Sequence, residues 1–256
     1  MEKAAGYVDA SYLDQVATIV AGTKRRSYEL LDLSDGASIA DVGCGPASDT
    51  LALARIVGPH GRVKGVDHDP EMVAEADRRA LAAGLANAEH VVGDAQRLPF
   101  GDGELDAVRA ERVLQHLTRP VDALAEMVRV VRPGGRVVVL DTDWASLSMD
   151  VDDPACRPLE RTIVDILLAR FRSAYVAREL PRLFGELGLA QRVVEVVAQV
   201  VLSPGLLFAA INLDPTLADA VADGRLTSAD DARVRKALMG GVFSSVNVVI
   251  AAGTRC

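Results

Sequence analysis

The residues with the clearest chemical content come early, where Asp41-Val42-Gly43-Cys44-Gly45-Pro46-Ala47 closes a β-branched run with two glycines and then opens a helical pattern. A strand, a tight turn and a helix in that order bring the backbone close to a ligand. A dinucleotide loop needs a third glycine three residues after Gly45, where this chain has Ser48, and Asp41 would set a carboxylate near the pyrophosphate. The charges favour a ligand whose ammonium group gains from an acid at the strand end while its own carboxylate takes exposed amides at the helix start. Asp67, in Gly65-Val66-Asp67-His68-Asp69-Pro70, follows the loop at the spacing where an acid accepts both hydroxyls of a ribose. Asp94, in Gly93-Asp94-Ala95-Gln96, or the backbone beside it, can read an adenine amino group. Each acid alone is an ordinary turn or cap residue. Three at successive strand ends, all on the carboxyl edge of one parallel sheet, point to an adenosine-type ligand, because open sheets bind at that edge.

Those strand ends are set by the elements behind them. From Ser38 to Leu140, short β-branched runs alternate with helical patterns, the order of a parallel sheet covered on both faces. The pattern predicts strands at 38–42, 62–66, 89–92, 105–110 and 135–141, and helices at about 47–57, 70–83 and 120–131. Asp69 caps and Pro70 opens the second helix, and Gly84 stops it. In the third, Val121, Leu124, Val128 and Val131 share a face, and Arg132-Pro133-Gly134-Gly135 ends it. An amphipathic helix from Tyr12 to Leu30 precedes the first strand. Beyond Asp141, apolar spacing at Leu159, Ile163, Ile166, Leu167 and Phe171, and again at Leu180, Leu183, Phe184 and Leu187, predicts two further helices. Val193–Leu202 and Ser245–Ala252 read as late strands. Consecutive strands tend to be neighbours, so the helical stretch 203–241 between them should project from the sheet as a cap.

Composition bounds the function class. Half of the 256 residues are apolar, enough for a sizeable core, and 28 basic against 36 acidic residues leave a net charge of −8 that argues against nucleic acid as partner. No apolar run approaches the roughly 18 residues of a membrane span, and the start Met1-Glu2-Lys3-Ala4-Ala5-Gly6 is too polar for a signal-peptide core, so a cytoplasmic protein is expected. Cys44, Cys156 and Cys256 form no pair motif, and His60, His68, His90 and His116 show no metal-ligand spacing, so neither disulfide nor metal is expected.

The ordered set Asp41-Val42-Gly43-Cys44-Gly45, Gly65-Val66-Asp67, Gly93-Asp94-Ala95, Val113-Leu114-Gln115-His116-Leu117 and Val131-Arg132-Pro133-Gly134-Gly135-Arg136 resembles the class I S-adenosylmethionine-dependent methyltransferases, in particular the ubiquinone and menaquinone biosynthesis group. The resemblance runs from about Ile39 to Trp144; Ala47 stands where that family usually has the last glycine of its loop. It implies an α/β fold, a Rossmann-like three-layer sandwich with a mostly parallel seven-stranded sheet and an antiparallel late strand, to which the order of elements adds the helical lid insertion 203–241. One domain over 1–256 follows, with an N-terminal helical segment 1–37, a cofactor-binding core 38–144 and an acceptor-binding region 145–256. Carried over by position, Asp41, Gly43 and Gly45 hold the methionine part of S-adenosyl-L-methionine, Asp67 the ribose, and Asp94 with Ala95 the adenine. His68, Met72 and Ala110 complete the cofactor set. The product would be S-adenosyl-L-homocysteine.

Methyl transfer from a sulfonium is a direct displacement in which the protein aligns the acceptor and excludes water, and only some acceptors need a base. The resemblance points the methyl group at the ends of the fourth and fifth strands, where Glu111 and His116 are the candidate bases and Asp143 and Trp144 the candidate acceptor wall. Arg109 and Arg112 bracket Glu111, and Asp141 with Asp143 and Glu111 would be the oxygen set for magnesium, though the ligand pattern of cation-dependent methyltransferases is not matched. The aliphatic second half implies a small, largely apolar acceptor such as a natural product, quinone-like ring or lipid, with Arg157, Arg161, Arg170, Arg172 and Arg178 available to an anionic group. Alternatives within the same fold are another reaction on the same cofactor, such as cyclisation, or binding without turnover. A homodimer is compatible with the sequence.

Overall fold

The computed structural model describes residues 20–151 and 153–256. Seven strands, β1 (Ser38–Val42), β2 (Arg62–Asp67), β3 (Ala88–Val92), β4 (Leu105–Glu111), β5 (Val131–Val151), β6 (Ala190–Val201) and β7 (Val242–Thr254), lie in the order β3-β2-β1-β4-β5-β7-β6. The first five run parallel, while β7 is antiparallel to both β5 and β6. The strand order reverses between β1 and β4, so their carboxyl ends open a crevice there.

Side chains of each parallel strand alternate between two apolar layers. One face takes α1 (Ala21–Leu30), α2 (Ser48–Ile56) and α3 (Pro70–Ala82), burying Leu30, Leu53 and Ala80 against Ile39, Val63 and Ala107. The other takes α4 (Pro120–Val130) and, further along the chain, the helix Val176–Glu186, which bury Leu124, Met127, Leu180 and Phe184 against Val42, Val108 and Val139. The buried stripe of α4 is Ala123, Leu124, Met127 and Val130. It is rotated from the expected one, leaving Val121 exposed, because Met127 supplies the long apolar contact at mid-helix. The helix expected from Tyr12 is described only over Ala21–Leu30; its earlier part and the polar start of the chain lie outside the described residues.

The largest departure from the sequence reading is β5, which does not end near residue 141 but runs to Val151. After Asp143 pairs with Asn247 the register shifts, and Ser148 to Val151 pair with Val242 to Ser245. Ser146 spans the irregularity, its hydroxyl donating to the Asp143 carbonyl at 2.6 Å and accepting the Asn247 N–H at 2.8 Å. Asp141 and Asp143 look like strand-end residues in sequence, yet β7 continues beside them and supplies the backbone partners.

On these extended strands sits the cap. It comprises α5 (Arg157–Leu168) and the insertion helices α7 (Pro204–Ala210), α8 (Leu213–Ala222) and α9 (Ser228–Gly240), with α6 (Val176–Glu186) remaining on the sheet. Trp144, Leu147, Ile163, Leu167, Leu213, Leu217 and Leu238 form an apolar cluster of its own there. That cluster joins segments far apart in sequence. Among the described residues, no single helix is long and apolar enough to cross a membrane.

Candidate functional site

Between β1 and α2 the backbone takes left-handed conformations at Gly43 (φ +70°), Gly45 (φ +50°) and Ala47 (φ +71°). A Cβ on Gly43 would overlap a methyl group of Val113, so the loop meets the chain beyond β4 only through a bare glycine. Ala47 is fully buried in the same left-handed region, which an alanine side chain disfavours. Replacing Ala47 with glycine is therefore expected to stabilise the fold by up to about 1 kcal/mol, seen as a thermal midpoint about 2–4 °C higher. A lower midpoint would show that the alanine methyl contributes more by packing than it costs in strain.

Below this loop opens a cavity of about 480 Å³, within the range of small-molecule sites. At one end its wall is Gly43, Gly45, Asp67, His68, Met72, Asp94 and Ala95, so seven of the expected cofactor contacts lie together. One Asp67 oxygen accepts the Gly45 N–H at 2.8 Å and the other accepts the Asp69 N–H at 3.0 Å, with the His68 ring 3.2 Å away. Burial works against the charged carboxylate, but the bonds from His68 and the two amides outweigh it and hold its pKa below the ordinary value. Of the four lone pairs of the carboxylate, these three donors leave one, on the oxygen that accepts from Gly45. Asp94 accepts the Gln96 N–H at 2.8 Å and stays exposed at the rim.

Two expected cofactor residues are not in that wall. Ala110 packs inside the apolar layer of β4. Asp41 lies one layer below the cavity, accepting the Thr50 hydroxyl at 2.9 Å and sitting 3.5 Å from an Arg109 nitrogen. Strand alternation explains this: Asp41 and Arg109 are register partners, and Arg109 and Glu111 share the face covered by α1 and α2. Arg109 is fully buried, bonded to Glu111 and to the Ser27 hydroxyl (2.9 Å), and 3.3 Å from Asp49. Lys24 of α1 completes the network by pairing with Asp49 and, at 2.9 Å, with Glu111. Burial raises the pKa of Asp41, and the nearby charge of Asp49 adds to it. For Asp49 and Glu111 burial is outweighed by the cations, and both are held below their ordinary range.

Glu111 does reach the cavity, but Lys24, Arg109 and Arg112 surround its carboxylate, so it is an ionised counter-ion and a poor proton acceptor. His116 also lines the cavity, its ring 5.4 Å from that of Phe171 and its Nε2 3.0 Å from the Gln115 amide nitrogen. Burial first, then the charge of Arg112, pushes its pKa down to about 4, so the ring is neutral at physiological pH. Trp144 forms a wall here, stacked on Phe171 at 5.0 Å with its indole N–H donating to Gln115 at 2.7 Å. Ile211 and Asn212, from the junction of α7 and α8, close this end, which places the cap directly over the cavity. Asp143, expected beside Trp144, turns away and pairs with Arg178 at 2.7 Å.

Asp141 is likewise outside the wall. It accepts the N–H groups of Leu114 (3.1 Å), Gln115 (3.4 Å) and Thr142 (3.2 Å), anchoring the turn that carries His116. Thus the three acids weighed as a magnesium set are engaged by cations or amides, and no group of three or more His, Cys, Asp or Glu arranged for a metal occurs among the described residues. Burial pushes Asp141 up to about 7 against those amides. The folded chain then holds a proton that the unfolded chain releases above about pH 4, so stability falls as pH rises from about 4 to about 7. Asp141→Asn is expected to remove about 2 kcal/mol of that decline between pH 5 and 7.5, read from urea midpoints. An unchanged slope would mean that Asp141 is ionised throughout.

Residues 39–135 match a model of the methyltransferase domain family. An uncharacterized 37.1 kDa protein of transposon TN4556 from Streptomyces fradiae is 43% identical over 185 residues, covering 71% of this chain and 52% of that protein. A demethylmenaquinone methyltransferase of Bacillus cytotoxicus is 39% identical over 124 residues, covering 48% of this chain and 52% of its own length. The chain thus spans about half the length of these curated relatives. Among solved structures, the YcgJ protein of Bacillus subtilis superposes with a TM-score of 0.68 at 18% identity, over 92% of this chain and 99% of that one, a likeness of fold.

Proposed function

We propose, from the premise that this chain resembles the class I S-adenosylmethionine-dependent methyltransferases and carries their domain at residues 39–135, that it methylates a small, mainly apolar acceptor. The observation that carries the reading is the single cavity joining the Gly43, Gly45 and Asp67 end to the His116, Trp144 and Phe171 end. The residues present fit the donor. Gly43 keeps side-chain atoms out of the loop, Asp67 brings a carboxylate held by the Gly45 and Asp69 amides to the wall for a ribose, and Met72 and Ala95 give apolar contact beside Asp94 for an adenine. Lys24, held at the wall by Asp49 and Glu111, suits the carboxylate of the donor.

When bound, the donor supplies an electrophilic methyl group on a sulfonium. The chain's own part is alignment and exclusion of water. Trp144 and Phe171 present a flat apolar surface to an acceptor, and Ile211 of the cap covers it. His116, neutral above about pH 4, accepts a proton from an acceptor whose hydroxyl or carbon is acidic enough for so weak a base. Residues 38–144 supply most of the donor half, with Lys24 added from before the first strand, and the acceptor half is shared between His116 and Trp144 on that side and Phe171 and Ile211 from 145–256.

Calorimetry with S-adenosyl-L-homocysteine and, separately, with NAD tests the premise: the first should bind and the second should not. Transfer of labelled methyl to a panel of quinols, phenols and lipids then separates an enzyme from a binding protein. Absence of S-adenosyl-L-homocysteine binding would overturn the reading.

A further inference from the structure

The acceptor half of the cavity holds more positive charge than an apolar substrate can use. Arg112, Arg170 and Arg172 all line it. Every acid in the wall, Asp49, Asp67, Asp69, Asp94 and Glu111, belongs to the ends of the first four strands, the turns that follow them or the first turn of α2. Arg170 donates to the Thr216 hydroxyl and has no ion-pair partner among the described residues; Arg172 reaches only the Thr118 hydroxyl, at 3.4 Å. The Nε of Arg112 is buried without a hydrogen-bond partner, 3.6 Å from the nearest oxygen of Glu111, which Lys24 and Arg109 already engage. Arg178, a little further along the chain, shows the ordinary alternative, since it is paired with Asp143 and lies outside the cavity.

The acids gathered at the donor end suit a cationic methyl donor, whereas the three guanidinium groups gathered at the acceptor end favour a second substrate that brings negative charge. We propose that the acceptor carries an anionic oxygen group, a carboxylate or a phosphate, held by Arg112, Arg170 and Arg172 while its apolar body lies against Trp144 and Phe171. This inference rests on the methyltransferase reading. It narrows that reading from an apolar acceptor to an amphiphilic one, anionic at one end. Guanidinium forks suit both groups, because each presents paired oxygens to two N–H donors. The suppression of the His116 pKa agrees with the placement, since Arg112 and Arg172 are both among its causes after burial.

Trp144 is the only tryptophan of the chain, so its fluorescence reports this half of the cavity directly. The full chain, with S-adenosyl-L-homocysteine present, is titrated with octyl phosphate, octanoate and 1-octanol. The expected result is affinity at least about tenfold higher for one or both anions than for the alcohol at low salt, shrinking in 0.5 M sodium chloride. The anion that binds more tightly identifies the group. Arg172→Gln, at an exposed side chain, should cut the anion preference about fivefold with no change in thermal midpoint, and Arg170→Gln should do the same even if loss of the Thr216 bond lowers that midpoint. Equal affinity for anions and alcohol, no binding of any of the three, or an undiminished preference in both variants would overturn the proposal. The S-adenosyl-L-homocysteine titration of the same samples keeps the two readings apart. If that ligand binds and the anions show no preference, only the anionic acceptor falls; if it fails to bind, the methyltransferase reading falls with it.

Discussion

Arg109→Met is expected to destabilise the protein by about 3–5 kcal/mol at pH 7, the range found when one member of a buried ion pair is removed. The guanidinium is fully buried and stands between Asp41, Asp49 and Glu111, with Lys24 paired to the last two and Arg112 beside Glu111. Methionine fills much of the volume, so the loss is electrostatic and not a cavity. The sign of the pH dependence separates these causes. Asp41 is raised already in the parent and gives both proteins the same trend; without Arg109, burial and mutual repulsion raise the folded-state pKa of Asp49 and Glu111 as well above the unfolded value of about 4. A folded chain that binds more protons than the unfolded one gains stability as pH falls, so the variant should recover part of its loss between pH 7 and pH 5. In the parent, Asp49 and Glu111 sit below their ordinary range and give no such gain. Urea unfolding of both proteins at the two pH values is the measurement. A loss under 1 kcal/mol, or one equal at both pH values, would show that the network does not depend on Arg109.

This network also marks the limit of what could be read from the sequence. The glycine loop, Asp67, Asp94 and their strand ends were legible because tight turns and strand tips restrict residue type locally, and the structure brings them to one cavity. The projecting insertion was legible in the order of elements, whereas the antiparallel late strand was implied only by the family resemblance. Asp41 reads as a ligand residue because its place in the loop is conspicuous, while its side chain is claimed by Arg109 of β4, a strand adjacent in the sheet but distant in the chain. A signal did exist. Ala107, Arg109 and Glu111 alternate with Val108 and Ala110 in a strand with apolar neighbours on both sides, so a charged residue at 109 required a buried counter-ion. Lys24 carried no signal, because nothing local in α1 distinguishes it from a solvated lysine. The continuation of β5 past Asp143 was hidden for a related reason: its backbone partners come from Val242 to Ser245, and pairing at that separation leaves no trace in the residues 144–148 themselves.

Asp67→Ala is expected to weaken S-adenosyl-L-homocysteine about 30- to 100-fold, since hydrogen bonds to a charged group contribute about 1.5–3 kcal/mol. The carboxylate does two things at once: it accepts the Gly45 and Asp69 amides and, in the proposed complex, the ribose hydroxyls. Alanine loses both. Asn is expected to serve little better, because its single acceptor oxygen can satisfy one amide while its NH2 group faces the other, leaving two donors opposed. To separate a loosened loop from a lost ribose contact, the natural ligand is compared with its 2′-deoxy analogue. In the parent, deletion of the hydroxyl should cost roughly tenfold in affinity, about 1.4 kcal/mol. In Asp67→Ala it should cost almost nothing, because the partner of that hydroxyl is already gone, and the difference between the two ratios isolates the contact. If both proteins discriminate against the deoxy ligand equally, Asp67 holds the loop and something else reads the sugar. If neither does, the carboxylate end of the cavity is not where the ribose lies, and the orientation assigned to the donor reverses.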